Sequence, residues 1–91
     1  MSALVSCLCV TRNRLPLLQR AVECFREQTY PNKELVILCE DNNPALPQIR
    51  QYECLNDVRV IVQPVEPKLT LGELRNISIR AAKGQYICQW D

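Results

Sequence analysis

Four short stretches of this chain carry the side chains whose types and spacing could do chemistry: Thr11-Arg12-Asn13-Arg14, Glu40-Asp41-Asn42-Asn43, Arg75-Asn76 and Gln89-Trp90-Asp91. Arginine presents a planar fork of donors that suits charged oxygens. Carboxylates accept hydrogen bonds without donating, and they supply the hard oxygens that Mg2+ and Mn2+ prefer. The glycines bear on the same question. There are only two, Gly72 and Gly84, and neither follows the first apolar run. Glycine-rich phosphate loops (GxGxxG, GxxxxGK[ST]) need glycine because backbone must approach the phosphate closely. Their absence disfavours a dinucleotide oxidoreductase or a P-loop NTPase. A nucleotide diphosphate bound here would have its charge met by arginine side chains and a divalent metal.

Composition narrows the field further. Eleven basic residues against ten acidic ones give a formal net charge of +1, spread without blocks. Neither nucleic acid nor an acidic membrane surface is an expected partner, and any anion must be held by a local site. Apolar residues make up 47% of the chain and charged residues 23%, the balance of a folded globular protein. No apolar run approaches the roughly 18 residues of a membrane span. The N-terminal run lacks a basic region before it and leads directly into Thr11 and Arg12, so a first strand is expected rather than a signal peptide, and a cytoplasmic location follows. For the six cysteines, a disulfide framework would need a secreted context, which the expected location does not offer, and a zinc site would need CxxC or Cys/His pairs, where the chain has no histidine and no CxxC. The cysteines read as small buried hydrophobes.

The elements that must position these groups alternate in type, and together they make one domain, residues 1–91. Leu4 to Val10 reads as a strand apolar on both faces, as in a buried parallel sheet. Asn13 can cap a helix from Arg14 to about Gln28, with Pro16 tolerated in the first turn and Leu17, Leu18, Ala21, Val22 and Phe25 forming its apolar face. Glu34 to Cys39 is a second strand, and Asn42-Asn43-Pro44 opens a short helix through about Cys54. Val58 to Gln63 is a third strand. Thr70-Leu71-Gly72-Glu73 is a capping box, opening a helix to about Lys83 with Leu74, Ile77, Ser78 and Ala81 on its inner face. Gly84 stands where a left-handed helix terminator is wanted, and Gln85 to Trp90 is a fourth strand. The order β-α-β-α-β-α-β predicts an α/β fold. Its expected form is a three-layer α/β/α sandwich around a four-stranded, mainly parallel sheet of order 3-2-1-4, with right-handed crossovers. Ligands of such sheets sit beyond the carboxyl ends of the strands, which is where Thr11 to Arg14, Glu40 to Asn43, the Pro64 to Thr70 loop and Trp90-Asp91 fall.

Taken in order, the Thr11 to Arg14 turn, Glu40-Asp41, Arg75-Asn76, Ala82-Lys83-Gly84 and Trp90-Asp91 resemble the family 2 glycosyltransferases over essentially the entire chain. The resemblance implies the Rossmann-like, nucleotide-binding half of a GT-A fold and an inverting transfer of a sugar from a nucleotide-diphosphate donor, with a UDP-sugar as the first expectation. It implies that Thr11, Arg12 and Arg14 lie along the nucleotide, that Asp41 accepts from the base, and that Arg75 faces the base or the diphosphate. It also implies that Asp91 opens the motif for Mn2+ or Mg2+. No residue takes the part of the catalytic base, so the chain by itself is expected to show no turnover. The turn Glu40-Asp41-Asn42-Asn43 departs from the family's Asp-Asp-Gly-Ser, with asparagine expected to tolerate the left-handed conformation that glycine would supply.

Structural readings of the same residues stay open. Arg12 and Arg14 can be solvated positions at a helix start, Asp41 a turn former, Arg75 and Asn76 an exposed helix face, and Trp90 a packing residue. Two other functions also stay open. One is a non-catalytic nucleotide-binding or interaction fragment that pairs with another chain. The other is a response-regulator-like Mg2+ site, which would need an aspartate at the end of strand three where Gln63-Pro64 stands. A chain with this sheet is further expected to self-associate through exposed edge and apolar surface.

Overall fold

Hydrophobic periodicity and the helix signals place the elements close to where they form. The computed structural model describes residues 3–12 and 14–90. Strands β1 (Val5–Val10), β2 (Lys33–Glu40), β3 (Val58–Gln63) and β4 (Tyr86–Gln89) alternate with helices α1 (Leu15–Glu27), α2 (Leu46–Arg50) and α3 (Leu71–Ala81). A 3-10 turn, Gln51–Cys54, continues α2. The sheet has the order β3-β2-β1-β4, and every neighbouring pair is parallel. Order and direction match the expectation from the sequence.

The two faces of the sheet are covered differently. Cys7 and Cys9 of β1, Leu35, Ile37 and Cys39 of β2 and Val58 of β3 pack with Leu18, Ala21, Val22 and Phe25 of α1 and Ile49 of α2. Each large side chain buried there contributes roughly 1.5–3 kcal/mol relative to exposure. Period-two alternation puts Leu8, Val36 and Leu38 on the other face, all fully buried. Helix α3 covers that face, with Leu74 and Ser78 buried against the sheet.

A polar cluster fastens the amino ends of the strands. Glu34, only 8% exposed, accepts from Ser6 Oγ (2.5 Å), the Lys83 N–H (2.8 Å), and Arg59 Nε and Nη2 (3.1 and 2.9 Å). Arg59 Nη2 also donates to the Ala81 carbonyl at 2.7 Å. One carboxylate therefore links β1, β2, β3 and the exit of α3. Burial pushes the Glu34 carboxyl up, but the hydrogen bonds from Ser6, Lys83 and Arg59 outweigh it and hold the group below its ordinary range.

Five local expectations need correction. Gly84 does not adopt a left-handed conformation, because no described glycine has positive φ. A Cβ at Gly84 would lie 2.5 Å from Ser6 Oγ and 2.8 Å from the Leu4 carbonyl oxygen, so glycine is there for close approach to β1. Asn42 and Asn43 likewise avoid positive φ. Leu17 leaves the core face of α1 and is 51% exposed. Cys24, Cys54 and Cys88 are exposed, and only Cys7, Cys9 and Cys39 are buried. Finally, β4 is exposed along its length rather than buried, because among the described residues it pairs with β1 alone. The helix α1 begins at Leu15 with Arg14 as its N-cap, and the cap expected from Asn13 falls outside the described residues. The capping box of α3 forms as expected: the Glu73 N–H donates to Thr70 Oγ1 at 3.1 Å, and the Thr70 N–H donates to Glu73 Oε1 at 3.0 Å.

Candidate functional site

The ladder of the parallel sheet continues one residue past three of its strands. The Thr11 N–H donates to the Leu38 carbonyl (2.9 Å), the Asp41 N–H to the Gln63 carbonyl (2.9 Å), and the Trp90 N–H to the Leu8 carbonyl (2.8 Å). Thr11, Asp41 and Trp90 therefore emerge side by side at the carboxyl edge of the sheet. Loop-to-loop bonds close this edge. Asn43, buried at 8% exposure, donates from Nδ2 to the Arg12 carbonyl at 2.5 Å and accepts at Oδ1 from the Ala45 N–H at 2.9 Å. Its own N–H donates to the Glu40 carbonyl at 3.1 Å. Arg12 Nε lies 3.7 Å from Glu40 Oε1. A cavity of about 320 Å³, lined by Thr11, Arg12, Glu40, Asn42, Asn43 and Pro44, opens between the two turns. That size is at the small end of ligand sites.

A larger groove, about 990 Å³, runs from Thr11, Arg12 and Arg14 along α1 to Leu71, Gln89 and Trp90. Its floor is apolar where Leu17, Leu18 and Ala21 contribute, and basic at the sheet edge and along one side, where Arg12, Arg14 and Arg20 stand. Trp90 is a packing residue here. Its indole Nε1 donates to the Ala21 carbonyl at 2.9 Å, and its ring rests against the core.

The structure gathers some of the sequence-derived candidates and leaves others apart. Thr11, Arg12 and Arg14 share the larger groove, and Thr11 and Arg12 line both cavities. Asp41 lies at the same end of the sheet, but its Oδ1 accepts from the Val65 N–H at 3.2 Å and its side chain lines neither cavity. Arg75 is exposed on α3, and it too lines neither. Asp91, the candidate metal ligand, lies outside the described residues. Two residues of the candidate stretch Glu40 to Asn43 had no role of their own from the sequence. Glu40 pairs with Arg12, and Asn43 ties the two turns together. Glu40 had the signal of an acidic pair at a strand end. Asn43 had none beyond being a polar residue before proline.

Glu40 and Asp41 are hard oxygen donors at the right end of the sheet, but among the described residues no three His, Cys, Asp or Glu side chains come together to hold an ion. The described residues alone do not build a metal centre. Among them, no helix is long and apolar enough to cross a membrane.

An all-parallel β3-β2-β1-β4 sheet with arginine-lined cavities at its carboxyl edge defines an α/β protein whose strand ends carry side-chain cations and no glycine cradle. The model of glycosyl transferase family 2 matches residues 6–91, and the chain belongs to that family. No curated protein matches the chain. Among solved structures, it is similar to the mannosyltransferase PcManGT from Pyrobaculum calidifontis, in complex with GDP-Man and Mn2+, with a TM-score of 0.76 and 21% identity. The likeness is one of fold, the GT-A architecture. It covers 91% of this chain and 25% of that one, so the chain spans a quarter of the length of the protein it resembles.

Proposed function

We propose that this chain binds the nucleotide part of a nucleotide-diphosphate sugar for inverting glycosyl transfer. The observation that carries the reading is the pairing of Thr11 and Arg12 with Glu40 and Asn43 around one cavity at the carboxyl edge of the sheet. Thr11 and Arg12 would contact the base and ribose, while Arg14, beside them in the larger groove, would face the negative charge of the diphosphate. Asp41 and Arg75 enter the proposal as flanking groups. Asp41 supplies an acceptor for a base N–H once its contact with Val65 is exchanged, and Arg75 approaches from the first half of α3. Asp91 is proposed as the metal ligand, its carboxylate being the hard donor that Mn2+ or Mg2+ takes. The ion's chemistry, when bound, is to offset charge on the diphosphate as the sugar leaves.

Inversion requires a base to take the acceptor hydroxyl's proton during attack. Of the described carboxylates at this edge, Glu40 faces Arg12 and Asp41 is proposed to face the nucleobase, and neither is proposed as that base. The 91 residues are therefore proposed to bind donor without turning it over. The neighbour's donor carries guanosine, so both bases belong in the test. Calorimetric titration of the chain with UDP and with GDP, each with and without Mn2+, should show one nucleotide binding. Arg12→Ala should weaken it roughly 10- to 100-fold, the loss of a charged hydrogen bond. Heat of binding for neither nucleotide defeats the proposal. A second reading, a nucleotide-binding piece that works only against another chain, is favoured by β4, which among the described residues pairs with β1 alone. It predicts turnover on adding that chain.

A further inference from the structure

Two cysteines far apart in sequence stand in register on neighbouring strands. Cys7 of β1 and Cys88 of β4 are parallel-ladder partners. Partners in such a ladder point to the same face of the sheet, and their strands run about 4.8 Å apart. That spacing falls inside the roughly 4.4–6.8 Å between Cα atoms that a disulfide spans. No other cysteines are register partners: Cys9 faces Ile37 and Cys39 faces Val62. Cys24 and Cys54 lie on α1 and on the 3-10 turn.

The two thiols differ in their access to solvent. Cys88 is exposed on a four-residue strand that has only one partner strand, and its thiol makes a long contact (3.7 Å) with the Gln89 carbonyl. Cys7 is 6% exposed. Burial, and then the neighbouring Cys88, push its thiol up to about 11, so it stays protonated at neutral pH. An oxidant therefore meets Cys88 first, and Cys7 is placed to resolve the product.

We infer that Cys7 and Cys88 form an oxidisable thiol pair, which a peroxide converts to a cross-strand disulfide fastening β4 to β1. The step balances with hydrogen peroxide as the two-electron oxidant. The Cys88 sulfur attacks the peroxide oxygen, the O–O bond breaks, and a sulfenic acid and one water form. The Cys7 sulfur then displaces the hydroxyl from the Cys88 sulfur, its proton leaves with that hydroxyl as a second water, and the S–S bond closes. Two thiols are oxidised and one peroxide is reduced. A thiol reductant reverses the bond by exchange. The site sits on the strand that leads to Trp90 and Asp91, and it is independent of the nucleotide-binding proposal.

The test is exposure of the chain to stoichiometric hydrogen peroxide, followed by thiol counting in denaturant, intact mass and mapping of the disulfide-linked peptides. The expected product is a monomer about 2 Da lighter, with two fewer titratable thiols and one linkage, between Cys7 and Cys88, which dithiothreitol removes. Cys88→Ser, at an exposed edge position, should abolish that product, whereas the double variant Cys24→Ser/Cys54→Ser should still form it. Oxidation that ends as added oxygen on Cys88, that links Cys24 or Cys54 between chains, or that leaves all six thiols free would overturn the inference.

Discussion

Asn43 holds two turns that come from different strands. Its amide donates to the carbonyl of Arg12 and its oxygen accepts from Ala45, so the backbone carrying Arg12 is fixed relative to Glu40. The neighbouring Arg12–Glu40 pair is too long and too exposed to fix anything on its own, since such surface pairs contribute about 0–1 kcal/mol. Asn43→Ala should therefore loosen the cavity, lowering stability by about 1–2 kcal/mol through the unpaired backbone groups. It should weaken nucleotide binding on the order of tenfold, equivalent to about 1.4 kcal/mol. Paired denaturation and titration measurements check this, and unchanged nucleotide affinity in the variant would separate Asn43 from the site. At this scale the sequence was half legible. Arginine and aspartate types name themselves as candidates, and topology sends Thr11, Arg12 and Asp41 to one edge. Where their side chains go is set by loop contacts across some 20 to 30 positions, such as Asp41 with Val65 and Asn43 with Arg12. No local pattern encodes those.

Between elements, the strongest polar tie is Glu34, at the edge opposite the cavities. Its hydrogen bonds to Ser6, Arg59 and Lys83 hold three strands and the exit of α3 in register. Because the folded carboxyl titrates below its ordinary range, the unfolded chain takes up a proton at higher pH than the folded one does. The stability it contributes is thus present above the ordinary carboxylate range, near pH 4.3, and is lost as pH falls through the lower folded value. Urea unfolding from pH 7 to pH 3 should show the midpoint dropping at the acid end. Glu34→Gln should be less stable at pH 7 by about 2–3 kcal/mol, discounted because Arg59 is one-third exposed, and should show a shallower acid dependence. An acid dependence as steep in the variant as in the parent would remove Glu34 from this role.

Element types, sheet order and the capping box of α3 were readable because periodicity and capping are local signals. Glu34 stands first in an apolar strand, where no local pattern marks a charge as buried. Gly84 was read as a helix terminator, since glycine's commonest reason there is conformational. Both are explained by one feature, the close approach of the segment after α3 to Ser6, which only the folded register reveals.

At the scale of the whole molecule, the two edges of the described sheet are unlike. Among the described residues β3 and β4 are the edges, and they differ: β3 carries Arg59 in its ladder, whereas β4 reads Tyr86-Ile87-Cys88-Gln89, with no charge and no proline. Tyr86 is 65% exposed and Ile87 46%, and the apolar groove along α1 reaches the same side through Gln89 and Trp90. A net charge of +1 supplies almost no repulsion between copies. Unpaired strand N–H and C=O groups beside exposed apolar side chains are the usual template for strand addition, and a single edge lysine is the usual defence. The chain should therefore self-associate through β4, with a light-scattering mass that rises with concentration. Ile87→Lys should return it toward the monomer, because stacking two copies edge to edge would then bring two ammonium groups together. Ile87 is 46% exposed but is the ladder partner of Ser6, a member of the Glu34 cluster, so a stability loss of about 1 kcal/mol should accompany the substitution. A parent chain that scatters as a monomer at all concentrations would contradict the edge argument. Association that persists unchanged in Ile87→Lys would move the contact from β4 to the groove along α1.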